Sequence, residues 1–297
     1  VGSKKSTNGR SWLSVPALAL SSARVAFKGL SLIAPGPAAW LARELFLTPQ
    51  RHQPPLRETW WQTEAERFGL PFEGRELAAW RWGWGGPTIL LVHGWAGRGL
   101  QLGAFAEPLV QAGYQVVAFD GPGHGESPGR QTNLPEFARA IAAATKTLGG
   151  VDAIVAHSFG AGSTLVSMAY EAPKVERLVF VAPPGRLRTI TATFEQATGF
   201  SADVLDRMRR SIERRFGLSW SDLDPHELAA RVEPRHRTLV VHDRQDREIP
   251  WSDALDLATQ LPSAELRTTE GLGHRRILRD PAVVAAVVDF LGPGDSV

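Results

Sequence analysis

A serine hydroxyl is a weak nucleophile unless a histidine takes its proton and a carboxylate orients that histidine. Three separated segments of this chain offer those parts. In His157-Ser158-Phe159-Gly160-Ala161-Gly162, a serine follows the apolar run Asp152 to Ala156 and precedes a helical pattern. A tight strand-to-helix turn would expose such a serine, and it needs small residues two before and two after, here Ala156 and Gly160. The run Thr238 to His242 leads into Asp243-Arg244-Gln245-Asp246, and the run Ala264 to Arg267 leads towards Gly271-Leu272-Gly273-His274. Ser158, Asp246 and His274 thus follow three separate strand-like runs, in the order nucleophile, acid, base. Acyl transfer also needs two backbone N–H groups aimed at the developing oxyanion. Phe159, next to the serine, offers one, and Trp95 in His93-Gly94-Trp95 offers the other.

The elements that must hold these residues are legible as alternating patterns. Short runs rich in Val, Ile and Leu occupy 88–92, 115–119, 152–156, 177–182, 238–242 and 264–267. Helical patterns fall near 101–112, 134–148, 161–171, 252–261 and 281–291. Continuous apolar strands separated by helices predict a mostly parallel, doubly wound α/β sheet with helices on both faces. In such a sheet ligands bind beyond the carboxyl ends of the strands, where the chemistry-bearing residues lie. A hairpin-like stretch, 64–72 and 77–82 about Glu73-Gly74-Arg75, precedes the alternation. The tryptophans Trp60, Trp61, Trp80, Trp82 and Trp84 crowd this region and read as core. Residues 183–235 far exceed a simple connection and carry a helical pattern at 203–216, so they read as an inserted helical cap.

With these motifs in hand, the chain resembles the α/β-hydrolase fold superfamily from about residue 64 to 291. The carriers are His93-Gly94-Trp95, Asp120-Gly121-Pro122-Gly123-His124-Gly125-Glu126-Ser127, His157-Ser158-Phe159-Gly160, Asp246 within 242–250, and Gly271-Leu272-Gly273-His274. The resemblance implies Ser158 as nucleophile, Asp246 as acid, His274 as base, and the amides of Trp95 and Phe159 as the oxyanion hole. Two departures stand out. Ala156 replaces the usual first glycine of the serine turn, and Asp243 stands where glycine is usual, giving a second candidate carboxylate. Asp246 is preferred because it lies at the family's acid position, with Asp243 expected to make structural hydrogen bonds. His93 and His124 are read as structural, and the side chain of His157 is expected to point away from the serine. The expected substrate pocket comprises Gly94, Trp95, Phe159, Leu187 and Phe194, with Phe200 and Leu205 of the cap also expected to contribute to the acyl and alcohol sites. The expected activity is cleavage of carboxylic esters of small to medium hydrophobic acids through an acyl-enzyme. Thioester or carbon–carbon bond hydrolysis by the same triad is the alternative, and a non-catalytic interaction module is the alternative of another class.

Composition narrows the rest. Of 297 residues 43% are hydrophobic and 22% charged, which excludes wholesale disorder. There are no cysteines, which removes thiolate nucleophiles, disulfides and cysteine-based zinc sites. No metal or organic cofactor is expected, because no clustered ligands and no phosphate-binding glycine loop appear. A net charge of +2 gives no nucleic-acid footprint, so the expected partner is a small-molecule ester. Residues 1–50 form a helical arm, split at Pro35-Gly36-Pro37, with 51–182 and 236–297 as the hydrolase core and 183–235 as the cap. Residues 48–57, rich in proline, read as a linker. The first ten residues read as a flexible lead. The basic start and the run Leu13 to Leu20 faintly resemble a secretion signal, but apolar positions continue at helical spacing past Lys28. An amphipathic helix and a cytoplasmic location are therefore expected. The arm's apolar stripe must be covered by its own sheet domain, by a second copy in a homodimer, or by a membrane surface met through Arg24 and Lys28. Arg275 and Arg276, beside the base, and Arg207, Arg210 and Arg214 on one helix face are read as solvated or paired, with an acidic substrate as the minority alternative.

Overall fold

A computed structural model describes residues 17–233 and 235–292. The flexible lead and most of the signal-like start lie outside the described residues.

Three helices come first: α1 (Ala17–Ile33), α2 (Pro35–Leu47) and α3 (Leu56–Thr63). An eight-stranded sheet follows, built from β1 (Glu66–Phe72), β2 (Arg75–Trp82), β3 (Thr88–Val92), β4 (Gln115–Phe119), β5 (Val151–His157), β6 (Val175–Val181), β7 (Arg237–Asp243) and β8 (Ala264–Thr269). Its order is β1-β2-β4-β3-β5-β6-β7-β8. The hairpin β1–β2 is antiparallel and joins β4 antiparallel, while the pairings from β4 through β8 are parallel. Its two-residue turn is Glu73-Gly74, both at positive φ (46° and 75°), a geometry whose twist matches the flanking strands. The central strands are buried along nearly their whole length, as their unbroken apolar sequence requires.

The connections carry α4 (Ala106–Gln111), α5 (Leu134–Thr147), α6 (Phe159–Tyr170), α7 (Leu187–Thr198), α8 (Ala202–Phe216), α9 (Pro225–Ala229), α10 (Trp251–Gln260), α11 (Gly273–Arg276) and α12 (Pro281–Leu291). One apolar core unites a sheet face with α5, α6 and α10, and a second unites the other face with α4 and α12. The chain passes from β3 to β4 on one side and returns past β3 to β5 on the other. That reversal opens a crevice between the carboxyl ends of β3 and β5, the place where doubly wound sheets bind ligands.

Several local expectations are corrected. The proline-rich linker ends in a helix, α3, because Pro55 sits just before the first turn, where its missing N–H costs nothing. The helical pattern near 101–112 opens as a tight 3₁₀ stretch, Gly99–Phe105, before α4. Its glycines allow close approach, since a Cβ on Gly103 would lie 2.5 Å from the Trp61 ring. Not all the tryptophans are core. Trp80 and Trp82 point inward from alternate positions of β2, but Trp60 and Trp84 are exposed. Arg81 instead holds the Trp84 ring from outside, 5.4 Å from its centroid.

The arm packs on the 183–235 insertion rather than on the sheet. Ala38, Ala39, Ala42 and Leu47 of the arm share one core with Phe194, Phe200, Val204, Leu205, Met208 and Ile212 of the insertion. Small residues on α2 let the α8 backbone approach, and Phe27 stacks on Phe200 at 4.6 Å. Val25, Leu32, Ile33 and Trp40 face outward from the arm. Among the described residues, no helix is long and apolar enough to cross a membrane.

Met208 is fully buried at the centre of the contact between arm and insertion. Met208→Ala should lower stability by about 2–5 kcal/mol, read as a shift of the urea midpoint. An unchanged midpoint would show that this contact carries no stability.

Candidate active site

Ser158 sits where β5 gives way to α6, with φ 51° and ψ −119°. A non-glycine residue in that region costs on the order of 1–3 kcal/mol and must be held from outside. Its N–H donates to the carbonyl of Val181 on the neighbouring strand at 3.0 Å. Its carbonyl accepts from the Ala161 N–H at 2.9 Å, which starts α6. The flanking turn is so tight that a Cβ on Gly160 would lie 2.5 Å from the His93 carbonyl oxygen. Ala156, the departure from glycine, is buried in β5 without distorting its pairing to Val92 and Phe180.

The three residues predicted to act together do meet. Ser158 Oγ lies 2.9 Å from His274 Nε2, and His274 Nδ1 lies 2.7 Å from Asp246 Oδ2. The carboxylate can only accept, so Nδ1 carries the proton and Nε2 is left to accept the serine O–H. Asp246 is fully buried at its side chain. Burial pushes its carboxyl up, but hydrogen bonds from His242, His274 and the Ile249 amide outweigh it and hold it well below the usual carboxylate range. Its other oxygen accepts from the amides of Glu248 and Ile249 at 2.8 and 3.0 Å. The carboxylate is thereby fixed in both charge and direction.

Asp243 has the structural job expected of it. One oxygen accepts from Thr269 Oγ1 at 2.8 Å and from the Leu272 amide at 2.9 Å, the other from the Gln245 amide at 2.9 Å. It ties the loop carrying Asp246 to the loop carrying His274. Its carboxyl is raised by burial, yet the Leu272 amide and the Thr269 hydroxyl bring it below the usual range.

Two histidines brace the assembly in ways the sequence did not announce. The side chain of His157 does not simply point away. Its Nε2–H donates to the His274 carbonyl at 3.0 Å, and the two rings lie 4.7 Å apart. Burial, then the neighbouring His274, keeps His157 well below its ordinary pKa, so it stays neutral. His242 Nε2 lies 3.0 Å from the Ile249 carbonyl and 3.4 Å from Asp246 Oδ2, closing the acid loop. Only alternation along β5 and β7 could have hinted at either role. His93 is structural as expected: Nδ1–H donates to the Gly94 carbonyl at 2.7 Å and Nε2 accepts the Gly121 amide at 2.9 Å. Burial lowers its pKa to about 4. His124 is likewise buried and holds its turn through the Pro122 carbonyl at 3.0 Å. Asp120 organises that turn by accepting from the Gly99 and Glu126 amides, and burial raises its carboxyl to about 6.

A cavity of about 860 Å³ opens over Ser158 and His274. Of the expected pocket residues, Gly94, Trp95, Phe159, Leu187 and Phe194 line it, whereas Phe200 and Leu205 are not in its lining and are buried in the core beneath the arm. The rings of Trp95 and Phe159 meet edge to face at 5.1 Å. Residues 45–48, 50, 52 and 53 of the arm and its continuation also line it, a contribution no local pattern in the sequence foretold. A shallower cleft near Pro71, Arg139 and Lys174 has none of these residues in its lining. Among the described residues no cluster could hold a metal ion.

A family model described as the alpha/beta hydrolase family matches residues 89–287. The chain belongs to the alpha/beta hydrolase family. Curated members similar to this hydrolase include a 2-hydroxymuconate semialdehyde hydrolase of Pseudomonas putida, 28% identical over 48% of this chain. The chain spans 63% of that relative's length. A pimeloyl-[acyl-carrier protein] methyl ester esterase of Aromatoleum aromaticum is 26% identical over 68% of this chain and 97% of its own. Among solved structures, an esterase of Pyrococcus furiosus has the same fold, with a TM-score of 0.63 and 18% identity over 82% of this hydrolase and 98% of the esterase.

A carboxyl depressed by folding contributes stability above its unfolded pKa, near 4, and loses that contribution as pH falls through its folded value. Asp243→Asn in this hydrolase should therefore lower the thermal midpoint at neutral pH, with the gap to wild type shrinking on acidification below about pH 4. A gap independent of pH would remove the ionised carboxylate from the explanation.

Proposed function

We propose that this protein is a serine hydrolase that cleaves carboxylic esters of small to medium hydrophobic acids through an acyl-enzyme. The observation that carries the reading is the continuous hydrogen-bonded line from Ser158 Oγ through His274 to Asp246 in the wall of one cavity. Ser158 attacks the ester carbonyl while His274 Nε2 takes its proton, and buried Asp246 stabilises the imidazolium that results. His274 then protonates the departing alcohol, and water activated by the same histidine releases the acid.

The amides of Trp95 and Phe159 would hold the oxyanion, each contributing about 2.7–4 kcal/mol to the transition state. Two features favour them. A Cβ on Gly94 would lie only 3.1 Å from Ser158 Cβ, so the backbone leading into Trp95 runs close beside the nucleophile. Phe159 opens α6, where the first amides have no partner within the helix. Leu187, Ile190, Phe194, Phe216 and Trp220 of the insertion give the cavity an apolar side suited to an acyl chain.

The esterase reading is favoured by the methyl ester esterase relative, which the chain matches over 97% of that protein's length. The semialdehyde hydrolase relative keeps carbon–carbon bond hydrolysis as the second reading, since the same relay would serve it. The intact relay argues against a non-catalytic module.

Wild-type protein should be labelled by a fluorophosphonate and should hydrolyse 4-nitrophenyl esters, whereas Ser158→Ala should do neither. Asp246→Asn should retain the fold but lower kcat by about 10⁴ through the wrong histidine tautomer. Equal labelling of wild type and Ser158→Ala would overturn the assignment of the nucleophile.

A further inference from the structure

The cavity is not uniformly apolar. Six arginines line it against two glutamates, in a protein whose basic and acidic side chains otherwise nearly cancel at 33 to 31. Both glutamates are engaged. Glu58, 1% exposed, is paired with Arg98, and Glu248 pairs with Arg275 at 3.2 Å. Among the described residues, the other four, Arg57, Arg247, Arg276 and Arg279, have no ion-pair partner, and Arg57, Arg276 and Arg279 act on one another. Arg276 donates to the carbonyls of Gly271 and Leu272, which orient its guanidinium without neutralising it.

These three come from α3, α11 and the 3₁₀ turn Ile277–Arg279 that follows α11, all on the cavity lining. Arg57 is on α3, Arg276 is on α11 two residues beyond His274, and Arg279 follows directly. They are close enough to repel: Arg279 is lowered by partial burial and then by Arg57 and Arg276, with Glu58 opposing them. His52, also on the cavity lining, is lowered by partial burial and then by the two paired arginines, Arg275 and Arg98. Like charges gathered around a single acid, Glu58, that is already paired with Arg98 cost stability, and a bound anion would reverse the sign of that cost. Guanidinium groups match carboxylate and phosphate oxygens in a fork geometry.

We infer that Arg57, Arg276 and Arg279 form an anion subsite of the cavity that holds Ser158, and that the preferred substrate carries a carboxylate or phosphate besides its scissile acyl bond. The inference rests on the hydrolase reading of Ser158 and adds a substrate class to it. The apolar side chains of the insertion would take the hydrocarbon part, and the arginines the charged end. The anion could belong to the acid, as in a monoester of a dicarboxylic acid, or to the leaving group, as in a phosphate-bearing thiol or alcohol.

Matched substrates separate these sources. The acid arm compares 4-nitrophenyl hydrogen glutarate with 4-nitrophenyl valerate. The leaving-group arm compares butyryl-coenzyme A with butyryl-N-acetylcysteamine. In one arm, wild type should favour the anionic member by roughly ten- to a hundredfold in kcat/KM, mainly through KM. The double variant Arg57→Gln, Arg279→Gln, or about 0.5 M salt, should erase that preference while neutral esters change less than about twofold. A preference absent from both arms, or equal in wild type and variant, overturns the subsite while leaving ester hydrolysis standing. If no substrate is turned over, the hydrolase reading fails, and calorimetric titration with glutarate and with pyrophosphate still decides the subsite. Binding lost in the double variant supports it, and no binding to wild type rejects it.

Discussion

Everything at the site depends on one strained residue. Ser158 holds a backbone conformation that a side chain disfavours, at φ 51° and ψ −119°. The strain persists because β5, β6 and the β3 exit over-determine it. The Val181 carbonyl fixes the serine amide, the start of α6 fixes its carbonyl, and the His93 carbonyl leaves no room for a side chain at position 160. The central parallel strands, buried along most of their length and closely registered, make this clamp stiff. A softer sheet would let the turn relax and would carry the hydroxyl away from its histidine.

The second requirement is that a carboxylate and an imidazole from different loops hold a fixed relation. Burying a carboxylate is costly unless its lone pairs are used, and Asp246 uses them on two amides, His274 and the approach of His242. Asp243 performs the neighbouring task, joining the loops that follow β7 and β8. Two acids three residues apart thus divide the work by direction: one faces the base, and the other faces the backbone that carries it.

The fold was legible because its central strands are continuous apolar runs, and burial on both faces leaves no other reading. Ser158, Asp246 and His274 were legible as a group because each follows a strand end, so local patterns placed them without knowledge of distant contacts. The brace by His157 was not legible, because its partner is a backbone carbonyl 117 residues away. The helix at 56–63 was hidden by the prolines ahead of it, and Trp60 and Trp84 read as core because composition does not reveal which way a side chain faces. The sequence left the covering of the arm open among the sheet domain, a second copy and a membrane, and the arm lies on the insertion. Its small residues at 38, 39 and 42 match the contour of α8, a complementarity between segments over 150 residues apart.

The cross-tie made by Asp243 separates two kinds of motion. The walls formed by the arm and the insertion are joined to the sheet through loops other than those it links. A displacement of those walls would alter the entrance without lengthening the bond between His274 and Asp246. The width of the cavity and the register of the line from Ser158 to Asp246 are thus set by different parts of the chain.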